Sequence, residues 1–170
     1  LAAEDGYRVV GALVTHYHPD HVGGDLFGHS IQGLARLQEE KAVPVHCHRE
    51  EAEGIRLVTG LLASDLVGHD GGDVVEVGSL RIELLHTPGH TPQHLSYVVA
   101  IEGIDAAAFT GGSLLYGSVG RPDLIGPDMT QELAHAQWHS VRRLTSEVAG
   151  HAGPGGLGIE APEGGAATAG

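Results

Sequence analysis

The stretch Thr15-His16-Tyr17-His18-Pro19-Asp20-His21 decides how this chain is read. Three imidazoles and one carboxylate fall within six residues, His16 to His21. His16 and His18 are two apart, His18 and Asp20 are two apart, and His21 follows directly. Imidazole nitrogen and carboxylate oxygen together suit zinc, iron, manganese or nickel. A His-rich surface turn is the bland alternative, and it is disfavoured because further His residues recur downstream in loop-like segments.

Upstream of the cluster, Val9-Val10-Gly11-Ala12-Leu13-Val14 is a continuous apolar run that reads as a buried strand. The ligand cluster therefore begins on a loop at the carboxyl end of a strand, where α/β sheets commonly hold their sites. Downstream, Ser30 can cap a helix through about Glu40, with Ile31, Leu34 and Leu37 along one face. Val43-Pro44-Val45-His46 reads as a short strand, placed at a sheet edge by its Pro. Residues 49–59 read as a helix stopped by Gly60. Val74 to Val77 and Leu80 to Leu85 form two strands joined at Gly78-Ser79.

A second His-containing loop follows, His86-Thr87-Pro88-Gly89-His90-Thr91-Pro92-Gln93-His94, made rigid by its Pro residues. Leu95 to Ile101 and Ala106 to Thr110 read as strands, the latter ended by Gly111-Gly112. Asp128 or Thr130 can cap a last helix through about Thr145, with Leu133, Ala134, Trp138, Val141 and Leu144 on one face, so that Trp138 is expected in the core. Residues 1–151 form one α/β domain on this reading, and residues 152–170 a flexible Gly/Ala-rich tail.

Composition narrows the function classes. The 170 residues are enough for a domain with a core, and 41% hydrophobic content is not that of a disordered chain. Nine Lys and Arg against 22 acids, a formal charge of -13, oppose binding to nucleic acid or to an anionic membrane. No apolar run reaches the length of a membrane span, and the N-terminus lacks a signal-peptide pattern. The single Cys47 rules out an internal disulfide and CxxC zinc ribbons. A reducing, cytoplasmic location is the expectation. In His46-Cys47-His48, strand alternation sends Cys47 opposite its neighbours, so a joint metal site there is not expected. His29, His69, His135 and His139 are read as surface residues.

At the level of motifs, Thr15 to His21 resembles the HxHxDH signature of the metallo-β-lactamase superfamily. His86-Thr87-Pro88-Gly89-His90-Thr91 resembles its second motif, and Phe109-Thr110-Gly111-Gly112-Ser113 its third, where an Asp normally follows Thr-Gly. The wording around His86 to His94 and Gly120-Arg121-Pro122-Asp123-Leu124 resembles glyoxalase II-like proteins and persulfide dioxygenases.

The resemblance implies an αββα sandwich of two mixed sheets with metal at one edge. It also implies that strands before residue 9 are missing, so the N-terminus is expected to be truncated. By matched position, His16, His18 and His90 would hold a first metal, and Asp20 and His21 a second together with a late His, for which His151 is the candidate. Zinc, one or two ions, is the implied cofactor, and iron(II) the alternative, held by His18, His90 and a carboxylate.

Asp20 would serve as the catalytic carboxylate of a hydrolase acting on a thioester such as hydroxyacyl-glutathione. The implied partner is a small thiol-derived molecule, and a homo-oligomer stays open. Two rival readings remain. One is a mononuclear iron glutathione persulfide dioxygenase; the other is a degenerate, non-catalytic domain, because Gly112 stands where the third-motif Asp belongs. Tyr116 and Arg121 are candidates to line a substrate pocket.

Overall fold

The computed structural model describes residues 4–101 and 104–151. Parallel strands β1 (Ala12–Leu13), β4 (Val45–His48) and β5 (Leu66–His69) make one sheet in the order β1-β4-β5. Antiparallel strands β6 (Val74–Val77), β7 (Leu80–His86), β8 (Leu95–Ile101) and β9 (Ile104–Phe109) make the other, in sequence order. Helices α1 (Pro19–Val22), α2 (Leu34–Lys41) and α3 (Ala52–Thr59) accompany the first sheet, and α4 (Pro127–His151) the second. Two small hairpins, β2–β3 (Gly24–Leu26 and His29–Ile31) and β10–β11 (Leu114–Leu115 and Ser118–Val119), project from the connections. The architecture is the αββα sandwich.

Three apolar clusters hold the layers. Val14, Val22, Leu34, Val45, Cys47, Ile55 and Leu61 pack the parallel sheet against its helices. Strand alternation gives the antiparallel sheet two apolar faces. Ile82, Leu84, Leu95, Tyr97 and Val99 lie in one cluster, while Leu85 and Val98 pack on Leu144 and Val148 of α4. Full burial of a Leu such as Leu84 or Leu95 contributes about 1.5–3 kcal/mol. Tyr97 ties the sheets together, its hydroxyl donating to the Val14 carbonyl at 2.6 Å.

Several sequence expectations are corrected here. The run Val9–Val14 is strand only at Ala12–Leu13, and Val9, Val10 and Leu13 are 36–42% exposed. Among the described residues β1 has β4 as its only strand neighbour, so of this run Val14 is buried in the core and Ala12 packs at its edge. Ser30 lies in β3, not at a helix cap, because Phe27 and Gly28 both take positive φ (53° and 80°) and close a tight hairpin. α2 starts after it, at Leu34.

β4 is central rather than an edge. Pro44 precedes the ladder, where its missing N–H costs nothing, and its carbonyl still accepts from Ala12 N–H at 3.0 Å. Trp138 is 54% exposed with the Arg142 guanidinium over its ring at 4.8 Å. The buried stripe of α4 runs through Leu133, Gln137, Ser140, Leu144 and Val148, which leaves Trp138 off the inward face. His69 is not a surface residue: its ring stacks on His46, with Nε2 2.9 Å from His46 Nδ1. α4 continues past Thr145 to His151, and the expected tail 152–170 lies outside the described residues.

Candidate metal centre

The first motif starts where β1 ends. His18 caps α1 in an extended conformation, with Pro19 at the first helical position, and its carbonyl accepts from His21 and Val22 N–H at 2.9 and 3.1 Å. The short turn fans the side chains of His16, His18 and His21 out of one tight segment. The second motif is the β7–β8 connection. Thr87 N–H donates to the His94 carbonyl at 2.8 Å, and Gly89, at φ +146°, turns the chain so that His90 points inward. Leu95 N–H donates to the Thr15 carbonyl at 2.9 Å, which pins the two motifs side by side.

The result is a group of three ring nitrogens, from His16, His18 and His90, all within 4.8 Å of one another. His18 Nδ1 and His90 Nε2 are 3.0 Å apart. The Arg121 carbonyl lies 3.0 Å from His90 Nδ1 and can only accept, so that nitrogen carries the proton and Nε2 presents its lone pair to the centre. His16 has Nδ1 3.0 Å from the Thr15 hydroxyl, and its Nε2 is buried with no partner among the described residues. A buried, unpartnered imidazole nitrogen beside two further imidazoles is a donor set that suits a cation.

Burial depresses the pKa of His16 far below the ordinary range, with the neighbouring imidazoles of His94, His21, His90 and His18 adding to it. Burial also lowers His18, with His90 adding to it and Asp20 opposing. Both rings therefore stay neutral, the form that binds metal. The residues present fit one ion.

Asp20 and His21 sit beside this group without joining it. Asp20 Oδ2 is 3.7 Å from His21 Nε2, the His21 ring centroid is 4.2 Å from that of His16, and the Asp20 side chain is 58% exposed. His151 is the last described residue of α4, and its side chain lies outside the described ones. Gly112 is buried against His90: a Cβ there would lie 2.7 Å from His90 Nε2. The position that matches the third-motif acid is therefore not an open slot, because the His90 ring borders it at contact distance.

Near the centre, Glu51 carried no readable signal in sequence. The carboxylate of Glu51 is buried, accepting from Tyr17 N–H at 3.0 Å and from the Thr91 hydroxyl at 2.7 Å. An acid at a helix start reads as a complement to the helix dipole, not as a link between loops. Arg121 contributes its backbone carbonyl, while its guanidinium pairs with Asp123 at 2.7 and 2.9 Å. His94 is fully buried; its Nδ1 is 2.9 Å from the Thr87 hydroxyl, and burial pushes its pKa down to about 3. His86 donates from Nε2 to the Pro92 carbonyl at 3.2 Å and stacks on His48, a structural role. Tyr116 is fully exposed. Cys47 lies opposite His46 and His48 in β4, as alternation requires, and burial raises its thiol to about 11.

The metallo-beta-lactamase superfamily model matches residues 1–151, and the chain belongs to that superfamily. Hydroxyacylglutathione hydrolase of Rhodopseudomonas palustris is 35% identical over 118 residues, 69% of this chain and 39% of the relative. The Bacillus subtilis protein named "Probable metallo-hydrolase YqgX" is 31% identical over 165 residues, 87% of this chain and 71% of the relative. The crystal structure of ETHE1 from Myxococcus xanthus superposes with a TM-score of 0.59 at 26% identity, over 84% of this chain and 50% of that one. The chain thus spans about two fifths of the Rhodopseudomonas enzyme. Among the described residues, no helix is long and apolar enough to cross a membrane.

Proposed function

We propose that this chain is a metal-dependent hydrolase that holds one ion on His16 Nε2, His18 Nδ1 and His90 Nε2 and acts on a thioester of the hydroxyacyl-thiol class. The observation that carries the reading is the convergence of three imidazole nitrogens, two of them buried against solvent, at one edge of the sandwich. Three neutral imidazoles with one position left open form a catalytic zinc donor set. A single iron site of the facial-triad type calls for a carboxylate, and Gly112 supplies none. Zinc is therefore favoured over iron, and one ion over two.

A bound zinc ion supplies Lewis-acid activation of water and of the substrate carbonyl. The chain's own groups orient and protect that chemistry. The Arg121 carbonyl holds the His90 ring, and burial keeps His16 neutral and shut from bulk water. Asp20, exposed beside His21, is the carboxylate this reading assigns to take a proton from the attacking water and return it to the leaving sulfur. The thioester class is supported by the hydroxyacylglutathione hydrolase relative.

The test combines metal analysis of the purified protein with hydrolysis of a hydroxyacyl-glutathione thioester. One zinc per chain, lost with His90→Ala together with thioester hydrolysis, is the expected result. Two tightly held ions would overturn the one-ion reading. Oxygen consumption with glutathione persulfide on a single iron would replace hydrolysis by dioxygenation. A folded chain that binds no metal would make it a non-catalytic domain.

A further inference from the structure

The buried carboxylate of Glu51 has no part in the ligand set, yet it touches both halves of it. Glu51 follows β4 by three residues, at the N-cap of α3, and is 4% exposed. One carboxylate oxygen, Oε2, accepts from the backbone N–H of Tyr17, the residue between His16 and His18. The other, Oε1, accepts from the hydroxyl of Thr91, the residue after His90. Burial pushes the Glu51 carboxyl up, opposed by the Thr91 hydroxyl and the backbone N–H groups of Tyr17 and Gln93, and the Gln93 side chain donates to Glu50 at 2.8 Å. Among the described residues no cation pairs with Glu51. A buried carboxylate satisfied only by neutral donors is costly to desolvate and demands its geometry in return.

We propose that Glu51 is a positioning residue that locks the His16–His18 loop and the His90 loop into one metal-binding geometry. This rests on the one-ion reading above. The two loops are far apart in sequence and are joined at their bases by the Leu95 N–H to Thr15 carbonyl bond, beyond which Glu51 is a second link. Fixing Tyr17 fixes the direction in which its two flanking His side chains leave the backbone. Fixing Thr91 does the same for His90. One carboxylate bonded to both thereby sets the separation between the ligands, the kind of outer support on which metal affinity depends.

The experiment is a double-mutant cycle read by zinc affinity, measured by chelator competition on the whole chain. Glu51→Ala removes the clamp, and Thr91→Val removes one arm while preserving side-chain shape. Each is expected to weaken zinc binding by about 10–100-fold. The double variant is expected to be no weaker than Glu51→Ala alone, because both act through one link. Thermal midpoints with and without zinc separate positioning from bulk stability. Positioning shrinks the zinc-induced rise, whereas a purely structural role lowers both midpoints equally and overturns the proposal.

Thr91→Val carries the test by itself if Glu51→Ala does not fold. Zinc binding at wild-type strength in the variants, or additive losses, would also overturn the clamp while leaving the one-ion reading intact. A wild-type chain that binds no zinc would overturn that reading and the clamp with it.

Discussion

The Nδ1 atom of His18 and the Nε2 atom of His90 lie 3.0 Å apart, although 72 positions separate the residues in sequence. The Arg121 carbonyl assigns the His90 proton to Nδ1, so without a metal it is His18 Nδ1 that donates across this contact. A cation bound between the rings requires the lone pair of His18 Nδ1. Zinc binding is therefore expected to move the His18 proton from Nδ1 to Nε2. Nitrogen-15 NMR of the imidazoles, recorded with and without zinc, reads the tautomer directly. An unchanged His18 tautomer in the zinc-loaded protein would contradict this ligand assignment.

Gly112 tests how closely the centre is packed. A methyl group there would overlap the His90 ring, which the Arg121 carbonyl holds from the other side. Gly112→Ala is expected to displace His90 and weaken zinc binding by at least about tenfold. Chelator competition checks this, and an unchanged affinity would mean that His90 moves freely or is not a ligand.

The buried imidazoles make stability depend on pH in a definite direction. The pKa of His94 falls from 6.5 to about 3 on folding, and that of His16 is depressed further. Between those values and 6.5 the unfolded chain binds protons that the folded chain refuses. The metal-free protein is thus expected to lose stability as pH falls below 6.5, and to keep this contribution in full above it. Each such group adds a slope of up to about 1.4 kcal/mol per pH unit. Urea denaturation at several pH values between 5 and 8 measures it, and His94→Gln should lower the slope by roughly one proton. A flat profile would mean that these rings are charged or exposed in solution.

Tyr97 joins the two sheets through its hydroxyl, which donates to the Val14 carbonyl at 2.6 Å, one residue before the ligand loop begins, with the His46 carbonyl at 3.4 Å. Tyr97→Phe leaves that buried acceptor without its donor and is expected to cost about 1–3 kcal/mol. Urea unfolding of the metal-free chain measures the loss, and a change below about 0.5 kcal/mol would place the linkage between the sheets elsewhere.

Features set by a few neighbouring residues were legible in the sequence. The β6–β7 hairpin at Gly78-Ser79, the stop of α3 at Gly60 and the strand-to-loop start of the first motif all appear as read. Features that depend on distant partners were not. Ser30 is as good a helix cap as a strand residue until Phe27-Gly28 closes the hairpin beneath it. Trp138 is apolar enough for a core, yet the stripe α4 turns toward β8 is chosen by Leu144 and Val148 packing on Leu85 and Val98.

The sequence by itself determined the family, the candidate ligands of the first motif and their place at the end of a strand, because His-x-His spacing and a bounded apolar run are local properties. It also marked Gly112 as a missing acid. Only the tertiary structure decided which ligands meet. His90 reaches His16 and His18 because Leu95 pairs with Thr15 and Arg121 holds its ring, while Asp20 and His21 stay to one side. The physical reason lies in range. Local spacing fixes directions along one turn of chain, but the closeness of two loops is set by backbone pairing, by packed rings and by one buried carboxylate between them.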